Sequence, residues 1–124
     1  MIKNKLIVVA LLFILIACNK EIQLDGFDAE GWKKDLAGCQ NFRKTMIHNV
    51  KLQKEKLLGL RENQIVKLLG PPDQKDLRKR GQKVFIYFID SKNTKCDSTF
   101  KGIPASLKIR FSALELSNEL IFAE

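Results

Sequence analysis

The chain has 124 residues, which limits it to one small domain besides an N-terminal targeting segment. Its 22 basic residues against 14 acidic ones give a formal net charge of +8, and it contains three cysteines and one histidine. These residues cannot supply a four-ligand zinc site, and the sequence has neither a phosphate-binding glycine loop nor a G-x-S-x-G nucleophile motif. We therefore predict a protein that is not an enzyme and that uses no metal or other cofactor.

The first 17 residues have the pattern of a signal peptide. Lys3 and Lys5 precede the apolar run Leu6–Ala17, which is well short of the roughly 20 residues that a transmembrane helix needs. The run ends in LIAC, which resembles the lipobox of bacterial lipoproteins and implies cleavage before Cys18 and acylation of that cysteine, for example with palmitate. An ordinary secretory signal followed by an incidental cysteine is the alternative.

Several acyl chains on Cys18 would hold the protein on a membrane of the cell envelope. Asn19 and Lys20 do not resemble the aspartate that retains some lipoproteins in the inner membrane, so the outer membrane is the predicted location. Loss of residues 1–17 removes two lysines and lowers the net charge from +8 to +6. Such a basic, anchored protein is expected to meet anionic headgroups or an acidic partner, and not nucleic acid.

Residues 18–27 are polar and aperiodic, and we predict that they form a flexible tether in front of a single domain at 28–124. From Asp28 onwards, apolar residues recur at intervals of three and four and predict a first amphipathic helix from Trp32 to about Lys54. Trp32 is predicted to be a core residue of this helix.

Cys39 and Cys96 are an even pair in a chain predicted to be exported, which favours a disulfide between them. Two buried thiols or two reactive thiols are the alternatives, because sequence spacing does not give the Cα separation that a disulfide requires.

A second helix is predicted over the stretch RENQIVKLL, in which Ile65, Leu68 and Leu69 share a face. A helix-stop motif follows it: Gly70 can take the left-handed conformation, and Pro71 and Pro72 cannot donate the amides of another turn. The motif therefore predicts a turn of the chain from the second helix toward a sheet.

The loop after this motif is basic, and its five cations are candidates for contact with an anionic surface or a partner. A solvated turn with no binding role is the alternative. The candidates are Lys75, Arg78, Lys79, Arg80 and Lys83.

Three strands are predicted in the remaining chain: a buried one in Val84–Ile89, a half-buried one in Ser106–Phe111 that alternates apolar and basic residues, and a short one in Leu120–Ala123. Short connections favour an antiparallel meander. The predicted fold is α+β, with two helices on one face of a three-stranded sheet and with Lys108 and Arg110 on the face in water.

The stretch GLRENQIVKLLGPPD, the strand LKIRFS and the short final strand together resemble the BamE/SmpA (SmpA/OmlA) small outer-membrane lipoproteins over residues 57–124. Gly59, Leu60, Leu68, Leu69, Gly70 and Pro72 match the pattern of that family, whereas Arg61 stands where a capping Ser or Thr is usual. The resemblance implies a fold like that of β-lactamase-inhibitor proteins. It also implies association with the outer-membrane barrel-assembly machinery and with anionic phospholipid.

Two functions follow as hypotheses. The first is a non-catalytic scaffold or binding module that is accessory to outer-membrane β-barrel assembly or to envelope integrity. The alternative is a free-standing extracytoplasmic lipoprotein that binds or inhibits another protein through its sheet face, at Lys108 and Arg110. A purely envelope-stabilising anchor is a third and weaker hypothesis.

Overall fold

The computed structural model describes residues 3–5 and 21–124. Within residues 21–124, three α-helices precede a four-stranded sheet, so the predicted α+β class and the order of the elements are confirmed. The helices are α1 (Ala29–Lys34), α2 (Phe42–Leu52) and α3 (Glu62–Leu69), and the strands are β1 (Gln74–Leu77), β2 (Lys83–Phe88), β3 (Ser106–Phe111) and β4 (Ser117–Ala123).

The sheet is an antiparallel meander in the order β1-β2-β3-β4, as predicted, but it has four strands and the prediction of three is wrong. The additional strand is β1, which pairs with β2 and includes Lys75 opposite Phe85. Its sequence, QKDL, lacks the apolar alternation that marks a strand, because β1 is an edge strand with mostly exposed side chains. No pattern in the sequence distinguishes such a strand from a polar loop.

The single first helix predicted from Trp32 to about Lys54 is also wrong, because the chain breaks it into α1, a short 3₁₀ turn at Leu36–Gly38, and α2. Gly38 has a φ of +69°, and a Cβ at this position would lie 2.7 Å from the backbone carbon of Ile89. The close approach of the turn to the end of β2 therefore requires glycine. This turn brings Cys39 to the outer side of the sheet, beside Cys96.

The Asp35 carboxylate stabilises the restart of the helix. It is fully buried and accepts hydrogen bonds from the backbone N–H groups of Gln40 (2.7 Å) and Arg43 (3.0 Å). These donors lie at and just before the first turn of α2, where backbone N–H groups lack helical partners. Asp35 thus acts as a cap from outside the helix.

The helix-facing side of the sheet contains the main core. Trp32 from α1 packs on Tyr87 with ring centroids 6.4 Å apart, and Phe85 packs edge-on against Phe111 at 4.6 Å. The predicted core role of Trp32 is confirmed, since this residue is fully buried.

The opposite side of the sheet is only partly in water. Val84, Ile86 and Phe88 of β2 face away from the helices, yet each is at most 6% exposed. They form a second cluster with Ala37 and Cys96, so the 3₁₀ turn and the loop after β2 cover this part of the sheet. β2 is therefore buried on both faces, in agreement with its continuous apolar sequence.

Candidate functional site

The predicted signal peptide and the predicted lipidation site at Cys18 lie outside the described residues, apart from the three residues at 3–5. No helix in the described ranges is long and apolar enough to cross a membrane. The described ranges also contain no group of three or more His, Cys, Asp or Glu side chains that could hold a metal ion.

Residues 21–28, here called the N-terminal strap, pack against the domain instead of forming the predicted flexible tether. The Gln53 side chain accepts a hydrogen bond from the backbone N–H of Asp25 (2.7 Å) and donates one to the carbonyl of the same residue (2.8 Å). Asn49 donates to the Gly26 carbonyl, and Leu24 is buried in the main core. The buried Leu24 and the pair of hydrogen bonds between Gln53 and Asp25 hold the strap in place. Neither contact produces a periodic pattern in the sequence, so the sequence did not predict it.

The strap and α3 border a groove with a volume of about 780 Å³. Glu21 and Ile22 line it from the strap, Arg61 lines it just before α3, and Asn63 and Lys67 line it from α3. The chain therefore enters the domain alongside α3.

The predicted basic loop is the hairpin between β1 and β2. It closes with a hydrogen bond from the Arg78 backbone N–H to the Gln82 carbonyl (2.7 Å), and Arg80 and Gly81 both have positive φ at the turn. Arg78, Lys79 and Arg80 are all exposed there. Three consecutive cations thus project from the end of the sheet.

The other two candidate cations lie outside this run of three, although Lys75 is exposed as well. Lys75 lies on β1 with its ammonium 5.4 Å from the centre of the Phe85 ring. Lys83 contacts two carboxylates, Glu62 at 3.1 Å and Glu115 at 3.6 Å. The hydrogen bond and charge of Glu62, with a smaller effect of Glu115, raise the pKa of Lys83. Of the five cations identified from the sequence, three therefore lie together at the tip and form no ion pair with another described residue.

The helix-stop motif has the predicted architectural role. α3 ends at Leu69, and Gly70 follows with a φ of +79° and accepts a hydrogen bond from the buried Tyr87 hydroxyl (2.9 Å). Pro71 and Pro72 then carry the chain to Asp73, immediately before β1.

Asp73 forms a buried ion pair with Arg43 that the sequence did not reveal. The Arg43 guanidinium lies 2.6 Å from the Asp73 carboxylate and 3.1 Å from the carbonyl of Phe88, and it also donates to the carbonyl of Trp32 (3.1 Å). Asp73 in turn accepts from the backbone N–H groups of Ala37 (3.2 Å) and Phe88 (2.8 Å). This pair joins α2, the helix-stop motif, the 3₁₀ turn and the end of β2.

Cys39 and Cys96 form a disulfide with a Cα separation of 5.4 Å. It attaches the loop after β2 to the 3₁₀ turn, and the buried side chain of Asn93 reinforces this contact by donating to the Ala37 carbonyl (2.9 Å). The predicted pairing is therefore present, and its position is structural because it covers the outer cluster of β2.

The second predicted surface is the outer side of β3 and β4. Arg110 forms an ion pair with Glu119 at 3.0 Å, and Lys108 lies opposite Ile121, which is 36% exposed. Both basic residues are only partly exposed, so this side is less open to water than predicted.

Comparison with known proteins gives no support for or against a family. No family model, no curated protein and no solved structure matches the chain. The arrangement of its own residues is therefore the basis for a functional proposal.

Proposed function

We propose that the protein is a lipid-anchored, non-catalytic binding module of the cell envelope, attached to the outer membrane through Cys18. The anchor is supported by the sequence LIAC after a basic and apolar N-terminal segment. The observation that carries the binding role is the run of three exposed cations at the hairpin tip, Arg78, Lys79 and Arg80. Adjacent cations that form no ion pair within residues 21–124 favour contact with an anionic surface or an acidic protein.

Acylation can be tested directly in cells that express the full chain with a labelled fatty acid such as palmitate. We expect the label on the parent protein and its loss in Cys18→Ala, together with release from the membrane fraction. Retention of the label in Cys18→Ala would refute the anchor.

The partner that we propose is the outer-membrane barrel-assembly machinery, with a role accessory to assembly or to envelope integrity. The support is the BamE/SmpA resemblance of residues 57–124, together with the order of helices before an antiparallel sheet. Purification of the lipidated protein in mild detergent, followed by mass spectrometry, should recover components of that machinery. Their absence would refute this part of the proposal.

A charge reversal tests whether the tip makes the contact. Lys79→Glu combined with Arg80→Glu should weaken recovery of the assembly components or binding to anionic vesicles. The matched control is Lys92→Glu combined with Lys101→Glu, which changes the net charge equally at two exposed lysines in the loop after β2. Equal binding by the two double variants would contradict a role for the tip.

The alternative function is capture or inhibition of another extracytoplasmic protein through the outer side of β3 and β4. The observation that favours it is the partly exposed Ile121 beside Lys108, which places an apolar side chain among charges. Lys108→Glu combined with Arg110→Glu should then abolish partner capture and leave membrane association intact. If capture survives this double variant, the alternative is wrong.

A further inference from the structure

Three segments meet at one end of the sheet. Lys83, the first residue of β2, contacts Glu62 in the first turn of α3 and Glu115 in the turn between β3 and β4. Arg61 also forms an isolated β-bridge with Leu116 in that same turn. The β1–β2 hairpin, the start of α3 and the β3–β4 turn therefore form one continuous end of the domain, here called the leucine tip.

The leucine tip combines apolar and cationic side chains. Leu77 in the hairpin and Leu114 in the β3–β4 turn are 80% and 82% exposed. Arg61 and the three hairpin cations are exposed beside them; of the nearby carboxylates, Glu62 and Glu115 are paired with Lys83, and Asp76 accepts a hydrogen bond from Gln74. Exposed leucines among arginines and lysines suit the boundary between headgroups and acyl chains, where both kinds of side chain find partners.

The length of chain before the strap limits how far this end can lie from a membrane. Glu21 lines a groove that runs along α3 from Arg61 to Leu68, so the chain leaves the domain alongside the helix that begins at the leucine tip. Only three residue steps separate Glu21 from Cys18, and at roughly 3.3–3.6 Å per extended residue they span about 10 Å. An acylated Cys18 would therefore hold Glu21 within about 10 Å of the anchored cysteine, which keeps the end of the domain at the start of α3 close to the headgroups.

We propose that the leucine tip lies on the bilayer that holds Cys18, with Leu77 and Leu114 at the headgroup boundary and the cations against anionic lipid. This orientation rests on the proposed lipid anchor and adds a defined membrane-facing surface. It leaves the opposite end of the sheet, with the disulfide loop, facing away from the membrane and free to meet other proteins.

The test uses tryptophan as a depth probe in the full-length, lipidated protein, attached to phosphatidylcholine vesicles that contain about one quarter phosphatidylglycerol. Leu77→Trp and Leu114→Trp introduce the probe at the leucine tip. Leu36→Trp and Ile103→Trp are matched controls, because these residues are 73% and 86% exposed and lie near the opposite end of the sheet. Trp32 is fully buried and gives the background that the parent protein measures.

With lipids brominated near the headgroup, we expect quenching and a blue shift of emission at both tip positions and parent-like emission at both controls. Adding Lys79→Glu with Arg80→Glu should reduce quenching at the tip. Two results would overturn the orientation alone: the protein floats with the vesicles and shows no quenching at either tip position, or it floats and shows equal quenching at the controls. Failure of the protein to float would instead refute the anchor and, with it, the orientation.

Discussion

Asp73→Ala should be among the most destabilising single substitutions in this domain. The change leaves the Arg43 guanidinium buried without its anionic partner and removes the acceptor of the Ala37 and Phe88 backbone N–H groups. Both side chains are almost fully buried, at 2% and 8% exposed, so water cannot replace the lost contacts. Breaking a buried ion pair by removing one partner costs about 3–5 kcal/mol, a large part of the roughly 5–15 kcal/mol that stabilises a typical domain.

Urea unfolding followed by far-ultraviolet circular dichroism measures this cost without relying on Trp32, which neighbours the pair. With a slope of about 1–3 kcal/mol per molar urea, the midpoint should fall by roughly 2 M, and the Tm should fall by roughly 15–30 °C. Asp76→Ala is the matched control, since Asp76 lies three residues further on and, among the described residues, its side chain accepts a single hydrogen bond, from Gln74. It should change the stability by less than about 0.5 kcal/mol.

A double-variant cycle with Arg43→Met separates the pair from general packing. If the buried charge causes the loss, Arg43→Met combined with Asp73→Ala should cost clearly less than the sum of the two single changes. Additive costs, or a loss for Asp73→Ala as small as that for Asp76→Ala, would refute the reasoning. A variant that fails to fold can be replaced by Asp73→Asn, which removes the charge and keeps one of the two acceptor oxygens.

Three further outcomes are expected. The disulfide closes a loop of 57 residues, so Cys39→Ser should lower the unfolding free energy by about 4 kcal/mol, and only under oxidising conditions. An equal loss in the presence of a reductant would indicate that packing of the Cys39 side chain, and not the disulfide, causes the effect. Gly59 has a positive φ and open space around it, so Gly59→Ala should lower the unfolding free energy in chemical denaturation by about 1–2 kcal/mol. Gly38→Ala should lower it by at least twice as much, because the new Cβ would meet the backbone at the end of β2. Equal losses for the two variants would contradict this close approach. Burial raises the pKa of Tyr87 above its ordinary 10.0, so the phenol ionises first in the unfolded chain and the unfolding free energy should fall as pH rises above 10. Tyr87→Phe should weaken that alkaline slope, and an unchanged slope would be evidence against it.

The sequence correctly predicted the elements that have a clear apolar periodicity or a clear helix-stop signal. The apolar run of β2, the alternation in β3 and the glycine and prolines after α3 each act locally, so they could be read correctly without the rest of the chain. The prediction of one long first helix was wrong because its apolar stripe continues through Gly38. The helix breaks there because the 3₁₀ turn approaches the backbone of Ile89, a contact that the sequence does not show.

The contacts that organise the candidate site depend on residues far apart in the chain, and this is why sequence reasoning missed them. Arg43 occupies an apolar position of a helical stripe, and its partner lies 30 residues later. Leu77 and Leu114 are single leucines in polar turns, a pattern too common to indicate a surface. The pairing of Lys83 with Glu62 and Glu115 likewise divides a run of cations that appears continuous in the sequence.

The disulfide also determines how the protein would respond to mechanical force. A pull between the two ends of the chain would pass from Cys39 directly to Cys96, so α2, α3, β1 and β2 would carry no load while the bond is intact. Of the segments at 21–124, the strap, α1, β3 and β4 could be extended. In single-molecule pulling, the oxidised domain should therefore lengthen by about 200 Å less than the reduced one, as expected for 57 shielded residues at roughly 3.3–3.6 Å each. In a protein pulled from one end, the disulfide would in this way keep about half of the fold free of mechanical load.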